Sequence, residues 1–220
     1  AIEARVNAED PLNNLKPSPG TIHLLEKTPT DKIRFETALS AGSGILPYYD
    51  SMIVKVIGKG VNREEAILNL SEGLDNLHIA GVPTNIPVLL KIINHPQFLN
   101  NEITTFFYQE HYNGFMRSVK KEWDNMEIIS NFALYLLLVN NMHEDITHKD
   151  VWKEIGHWRQ SRSMDVNFNS GRHTLKEITL LHNSLSFFYK GIKYTVSKAE
   201  FNNHEVLFYI NNKKYYFTYV

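Results

Sequence analysis

Glu9 and Asp10 are adjacent carboxylates, the residue types that proton transfer would use. Pro11 follows them, and short acidic side chains at such a place accept hydrogen bonds from the backbone of a turn. The pair is therefore read as a turn clamp. Tyr48-Tyr49-Asp50 is read as two packing aromatics and a turn-fixing carboxylate. Lys55 has two readings, a buried partner of Asp50 or a charge at a strand edge. Ten histidines invite a metal site, but His143 and His148 are five apart and His173 and His182 nine apart. A zinc-binding helix face needs imidazoles at i and i+4, so these are read as structural or surface residues. By pattern alone Arg34, in Lys32-Ile33-Arg34-Phe35-Glu36, is a strand arginine that pairs with Glu36 or with solvent. The sequence has no cysteine, which removes thiol nucleophiles, disulfides and thiolate ligands and fits a reducing compartment. It has no glycine-rich phosphate loop, and its 24 acidic residues form no cluster with metal-site spacing.

The elements that must position these residues fall into two halves. In the first, Ile33 to Leu39 alternates apolar and polar residues, as a half-buried strand does, and Met52 to Ile57 is a second strand candidate. Asn62 is placed to cap a helix, with Glu64 and Glu65 near its positive end. Ile67, Leu70, Leu74 and Leu77 form one apolar stripe, so a helix of about 17 residues is expected. Gly81-Val82-Pro83 stops it, and a second helix is expected from Thr84 to Ile93, before His95-Pro96. In the second half, residues 116–141 read as a long helix, apolar on nearly every side toward its end. Beyond Trp158 the period becomes two. Strands are expected at Met164–Phe168, Thr174–Leu181, Leu185–Tyr189, Ile192–Val196, Glu205–Ile210 and Lys214–Tyr219. Lys190-Gly191 and Asn211-Asn212-Lys213 are the hairpin signals. One long helix with a small antiparallel barrel is the economical reading of residues 113–220.

Composition excludes several function classes. With 220 residues the chain holds one large or two small domains. Its 43% apolar and 21% charged residues argue against long disorder. A net charge of −1 offers no basic field, so neither nucleic acid nor a membrane surface is an expected partner. The longest apolar run, Phe132 to Val139, has eight residues, against about 20 for a bilayer-spanning helix. No charged-then-apolar leader opens the sequence, so no secretory signal is expected.

Four blocks agree in order and spacing: Glu3-Ala4-Arg5-Val6-Asn7-Ala8-Glu9-Asp10-Pro11, Lys16-Pro17-Ser18-Pro19-Gly20-Thr21-Ile22, Ile45-Leu46-Pro47-Tyr48-Tyr49-Asp50-Ser51-Met52-Ile53 and Gly60-Val61-Asn62-Arg63-Glu64-Glu65-Ala66. Together they make residues 1 to about 111 resemble the C-terminal lobe of biotin carboxylase, the ATP-dependent half of biotin-dependent carboxylases. Asn7-Ala8-Glu9-Asp10, Pro17-Ser18-Pro19-Gly20, Thr84-Asn85-Ile86-Pro87, His95-Pro96-Gln97-Phe98 and Glu110-His111 are closer to acyl-CoA carboxylase α-subunits than to pyruvate carboxylase. The second half, through Asp150-Val151-Trp152-Lys153-Glu154-Ile155-Gly156-His157-Trp158-Arg159, resembles the region after biotin carboxylase in propionyl- and methylcrotonyl-type α-subunits. In those proteins a long helix and a surrounding barrel dock the carboxyltransferase β-subunit.

The resemblance implies an α+β chain. Residues 1–112 would be an incomplete C-terminal lobe of an ATP-grasp enzyme, and residues 113–220 a helix plus barrel that docks the carboxyltransferase. The parent would be a ligase that uses ATP, Mg or Mn and bicarbonate to carboxylate biotin for transfer to an acyl-CoA. Arg34 would face the biotin ureido group, where an always-charged guanidinium stabilises the enolate-like oxygen. Thr104 and Thr105 would lie near the wall beside the adenine ring. Arg63 would lie at the two-fold contact of a biotin carboxylase homodimer, and Trp152 and Trp158 at the docking interface. The ATP site would precede residue 1. A biotin carrier domain of the same parent, with its Met-Lys-Met turn, would follow Val220. This stretch alone is therefore expected to bind no cofactor and to be inactive. The compartment implied is the cytoplasm, or the mitochondrial matrix in a eukaryote. The competing reading is a freestanding protein-interaction module with no catalytic role.

Overall fold

The computed structural model describes residues 1–144, 162–168, 171–181, 184–202 and 205–218. Trp152, Trp158, His148, His182, Tyr219 and the side chain of His143 lie outside the described residues. The chain divides into two compact units, Ala1–Trp123 and Asp124–Val220.

The first unit carries β1 (Ile2–Asn7), β2 (Glu9–Asp10), β3 (Lys16–Pro17), β4 (Gly20–Thr21), β5 (Leu24–Glu26), β6 (Ile33–Glu36), β7 (Gly44–Ile45) and β8 (Met52–Gly58). After these come α1 (Arg63–Asp75), β9 (His78–Ala80), α2 (Ile86–Ile93), α3 (Pro96–Leu99) and the first part of α4 (Phe107–Glu144). β1, β8 and β6 form an antiparallel sheet in that order. Alternation sends Ala4, Val6, Ile33, Val54 and Val56 inward, against Leu70 and Leu74 of α1. Burying each such aliphatic side chain stabilises the unit by about 1.5–3 kcal/mol. Helix and sheet approach closely because Gly58 has no side chain. A Cβ there would lie 2.5 Å from the Leu70 nitrogen and 2.6 Å from the Ala66 carbonyl oxygen.

Asn62 caps α1 as its residue type predicts, its side chain accepting the Glu65 N–H at 2.8 Å. The helix is 13 residues, shorter than expected. Asn76 closes it by donating to the Glu72 carbonyl, and the chain then leaves to pair β9 with β5. α2 begins at Ile86, two residues later than expected, and α4 begins at Phe107, well before residue 116. The 112/113 boundary therefore falls inside a helix.

The second unit completes α4 and continues with β10 (Arg162–Phe168), β11 (Gly171–Leu181), β12 (Ser184–Tyr189), β13 (Ile192–Asn202), β14 (Glu205–Ile210) and β15 (Lys213–Thr218). Each strand pairs antiparallel with the next, giving a six-stranded meander in sequence order. Two tight turns use the left-handed conformation at both central residues, Lys190-Gly191 and Asn211-Asn212. That is the hairpin geometry matched to strand twist. Lys213 already pairs with Ile210, so it belongs to β15 rather than to the turn. β11 and β13 are each 11 residues and carry register shifts beside Glu177 and Lys198, both at positive φ. Bulges of this kind bend a strand and increase its twist. Leu175, Leu185, Phe187, Val196, Val206, Phe208 and Ile210 gather with Ile128, Ile129, Phe132 and Ala133 of α4 into one core.

Candidate functional site

The outward face of the β1-β8-β6 sheet collects the charges. Glu3 and Arg5 on β1 and Arg34 and Glu36 on β6 are exposed, and Lys55 and Ile57 on β8 are half-buried between them. Register lines up Arg5, Lys55 and Glu36 in one row and Glu3, Ile57 and Arg34 in the next. Both arginines form an ion pair two residues away on their own strand: Arg34 to Glu36 at 2.9 Å and Arg5 to Glu3 at 3.3 Å. Exposed pairs of this kind hold a side chain only loosely. Neighbouring strands are about 4.8 Å apart and the two arginines sit two residues out of step along them, so their backbones stand roughly 12 Å from each other. Three cations and two carboxylates leave this face with a surplus of one positive charge (3 − 2). Such a face can present guanidinium N–H groups to an acceptor oxygen.

Arg34 thus takes the partner that pattern alone gives it, Glu36, and it shares its face with Arg5, which sequence reasoning passed over. The signal was there. Glu3-Ala4-Arg5-Val6-Asn7 alternates like the Arg34 segment, and Arg5 falls on the polar side of that alternation. Lys55 is a strand charge in register between Arg5 and Glu36 and not the partner of Asp50, whose Oδ1 accepts the Met52 N–H at 3.2 Å. Glu9 and Asp10 act as clamps. Asp10 Oδ1 accepts the Leu12 N–H, and Glu9 Oε1 accepts from the Asn7 side-chain amide, both at 2.9 Å. Tyr48 and Tyr49 do not pack as expected. They are 88% and 78% exposed, because the chain runs outside the core between Ile45 and Ile53.

Arg63, at the start of α1, is half-buried against its own chain. Its Nη2 donates to the Phe98 carbonyl at 2.7 Å, its guanidinium lies 4.9 Å from the Phe98 ring centroid, and its buried Nε has no acceptor. Thr104 and Thr105 are exposed on the turn that leads into α4, where Thr104 Oγ1 accepts the Phe106 N–H at 3.2 Å. They lie on a different element from the two arginines. Exposed Lys32 and half-buried Glu65 pair at 2.6 Å. The hydrogen bond and charge of Glu65 raise the Lys32 amine above its ordinary range, and the Lys32 hydrogen bond does most to lower the Glu65 carboxyl.

Histidines take structural places. His95 and His111 stack at 4.4 Å beside Phe107 and Phe115, His111 sits 2.7 Å from Gln97 Oε1, and His173 Nδ1 is 2.7 Å from the Tyr189 hydroxyl. Among the described residues no group of three His, Asp or Glu is placed to hold a metal ion. No helix among them is long and apolar enough to cross a membrane. Of the second-half aromatics, Tyr189 is buried while Tyr194, Tyr215 and Tyr216 are half-buried. The Tyr215 hydroxyl is buried without a partner, and burial, helped by nearby Tyr194, pushes it up to about 12.

Residues 3–110 match the family model of the biotin carboxylase C-terminal domain. This segment of the chain belongs to that family. Its relatives include Biotin carboxylase 1 of Bacillus subtilis, 42% identical over 50% of this chain and 24% of that protein. The alpha subunit of mitochondrial methylcrotonoyl-CoA carboxylase from Dictyostelium discoideum is 31% identical over 172 residues, which is 77% of this chain and 25% of that subunit. The mitochondrial propionyl-CoA carboxylase alpha chain of Caenorhabditis elegans is 40% identical over 51% of this chain and 16% of its own length. Among solved structures, the biotin carboxylase domain of Hydrogenobacter thermophilus 2-oxoglutarate carboxylase superposes at a TM-score of 0.49 with 39% identity. That superposition covers 51% of this chain and 25% of that one, and the family assignment rests on sequence. The chain spans about a quarter or less of the length of these relatives.

Proposed function

We propose that the chain is part of the α-subunit of a biotin-dependent acyl-CoA carboxylase, whose parent carboxylates biotin with ATP and bicarbonate. The observation that carries this reading is the open arginine-bearing face of a sheet that lies within the family segment. Biotin, when bound, supplies the ureido nitrogen that takes the carboxyl group. What this chain adds is a guanidinium aimed at the ureido oxygen. Fixed positive N–H donors stabilise oxygen charge as it develops, without reorganising. Arg34 is the residue that the resemblance assigns, and Arg5 stands beside it with equal exposure and equal freedom to exchange its carboxylate partner for a ligand. By the resemblance, ATP and its Mg or Mn would be held by other parts of the parent.

The second unit would dock a carboxyltransferase subunit. The 172-residue alignment with a methylcrotonoyl-CoA carboxylase alpha subunit supports this, since it is longer than the family segment and so reaches into the second half. The helix, the meander and the two bulges suit a sheet that closes into a barrel around the helix. The biotin carrier domain and a second biotin carboxylase would be further partners of the parent.

The decisive experiment replaces each arginine separately in the full-length enzyme. R34A or R5A should lower kcat/KM for free biotin by about 100-fold, the loss of some 2.7 kcal/mol of charge stabilisation. ATP hydrolysis with bicarbonate alone should be spared. If only R5A acts, the assignment of Arg34 fails and the face keeps its role; if neither acts, the face has no part in biotin chemistry. For the docking half, a carboxyltransferase subunit should be lost in pull-downs when residues 113–220 are deleted.

A further inference from the structure

Asn85 occupies the N-cap position of α2, where an asparagine side chain usually accepts a helix N–H, yet it makes no such bond. Its side chain turns instead to β1. Asn85 Oδ1 accepts the Asn7 N–H at 2.9 Å, Asn85 Nδ2 donates to the Arg5 carbonyl at 3.2 Å, and the Asn85 N–H donates to the Asn7 carbonyl at 3.2 Å. β1 is an edge strand with β8 on one side only. One residue therefore satisfies three backbone groups on the other side, as a paired strand would. Asn85 is 9% exposed, one of three buried polar residues among those described. Buried polar groups that give up a local bond for a distant one fix a particular geometry. Here the geometry fixed is that of the β1 backbone at Arg5 and Asn7, on either side of Val6, where the register slips past one extra residue, Ile53, on β8.

We infer that Asn85 is a positioning residue: by clasping the Arg5 carbonyl and both backbone groups of Asn7 it sets the direction in which the Arg5 guanidinium leaves the sheet. This rests on the reading that the sheet face serves biotin. A guanidinium at the end of four rotatable bonds is aimed from its Cα, so a small tilt of β1 at Arg5 displaces the donor by an ångström or more. Displacements of that size cost on the order of 100-fold in positioned reactions.

The test is a double-mutant cycle in the full-length enzyme, with N85A, R5A and the pair. N85A should lower kcat/KM for free biotin about tenfold, chiefly through kcat, and leave ATP hydrolysis with bicarbonate alone within about twofold, as expected when only the alignment of a charge-stabilising donor is lost. With R5A already present, N85A should add less than about twofold, because a residue acting through Arg5 has nothing left to position. N85D keeps the acceptor for Asn7 but sets an oxygen against the Arg5 carbonyl, and should resemble N85A. If R5A impairs biotin use and N85A multiplies its effect in full, or lowers the bicarbonate-only rate equally, Asn85 is merely structural and the inference falls. If R5A is silent toward biotin, the reading of Arg5 on this face falls first, and the inference with it. Should N85A fail to fold, N85S keeps a side-chain oxygen toward the Asn7 N–H and lacks the amide donor, and the same cycle is run with it.

Discussion

Replacing Arg63 separates two incompatible uses of that side chain. As a homodimer contact it would face a partner; in the structure it faces its own chain and fastens α1 to the Phe98 end of α3. R63A removes a hydrogen bond from a charged donor, about 1.5–3 kcal/mol, and a cation–ring contact of about 0.5–1 kcal/mol. It also removes a buried Nε with no acceptor, which returns about 1 kcal/mol. Because both partners are only partly buried, the lower part of the range applies, and the net loss should be about 1–2 kcal/mol. Urea unfolding at two protein concentrations measures it. The midpoint should fall by roughly 0.5–1 M for a slope near 2 kcal/mol per M, equally at both concentrations. R63K should fall in between, since a lysine keeps the charge and loses the planar stack. An unchanged midpoint in R63A, together with weakened self-association, would refute the intramolecular latch and support the interface role.

Other substitutions test the supports of the site. N62A removes the cap of α1 and should cost about 1 kcal/mol, read as a drop in Tm. G73A brings a Cβ within 2.8 Å of Ile33 Cγ2 and 3.0 Å of Val56 Cγ1, so the overpacking should outweigh any gain in helix propensity and destabilise by about 1–3 kcal/mol. Y215F deletes a buried hydroxyl that has no partner and should stabilise the second unit by about 1 kcal/mol in thermal unfolding. The same tyrosine gives a pH signature. Its folded value is raised from 10.0 to about 12, so the unfolded chain loses that proton first and stability falls as pH rises from 10 toward 12. Wild-type protein should lose roughly 2 kcal/mol across that window beyond whatever Y215F loses, as measured by denaturant unfolding at each pH.

Much of the second unit was legible because its signals are local. Period-two alternation located all six strands, and the turn residues marked two hairpins. The continuations of β11 back to Gly171 and of β13 on to Asn202 were not legible. The β13 continuation passes a bulge at Lys198, where a left-handed residue that is neither glycine nor asparagine interrupts the alternation, whereas the expected β11 already spanned its bulge at Glu177 and missed only Gly171–His173. In the first unit the Asn62 cap and the stripe of Ile67, Leu70 and Leu74 were read correctly; the length of α1 was not, and Leu77 is buried beyond its end, because β9 takes up the chain after Asn76. The two-residue strands β2, β3, β4 and β7 are too short to carry a period. At the candidate site, alternation puts Arg34 and Arg5 each on the polar side of its own strand, but that the two share one face could not be read. What joins them is β8, which pairs with both strands, and a pairing between distant segments leaves no mark in either one. The swing of Asn85 from its helix to β1 is hidden for the same reason: a residue of the right type at an N-cap position predicts a cap.

The pairing of β1 with β8 also sets an order of assembly. In the meander every strand is only two residues from the next in sequence, so it can zip from hairpin to hairpin as it is made, and local contacts of this sort form fast. β1 cannot. Its hydrogen-bonding edges wait first for Met52–Gly58 and then for Asn85, so during synthesis Ile2, Ala4 and Val6 stay without their core partners until the first helix and the start of the second have left the ribosome. The arginine-bearing face thus comes into being late in the folding of its unit, when the last polar clasp closes over a strand translated well before its partners.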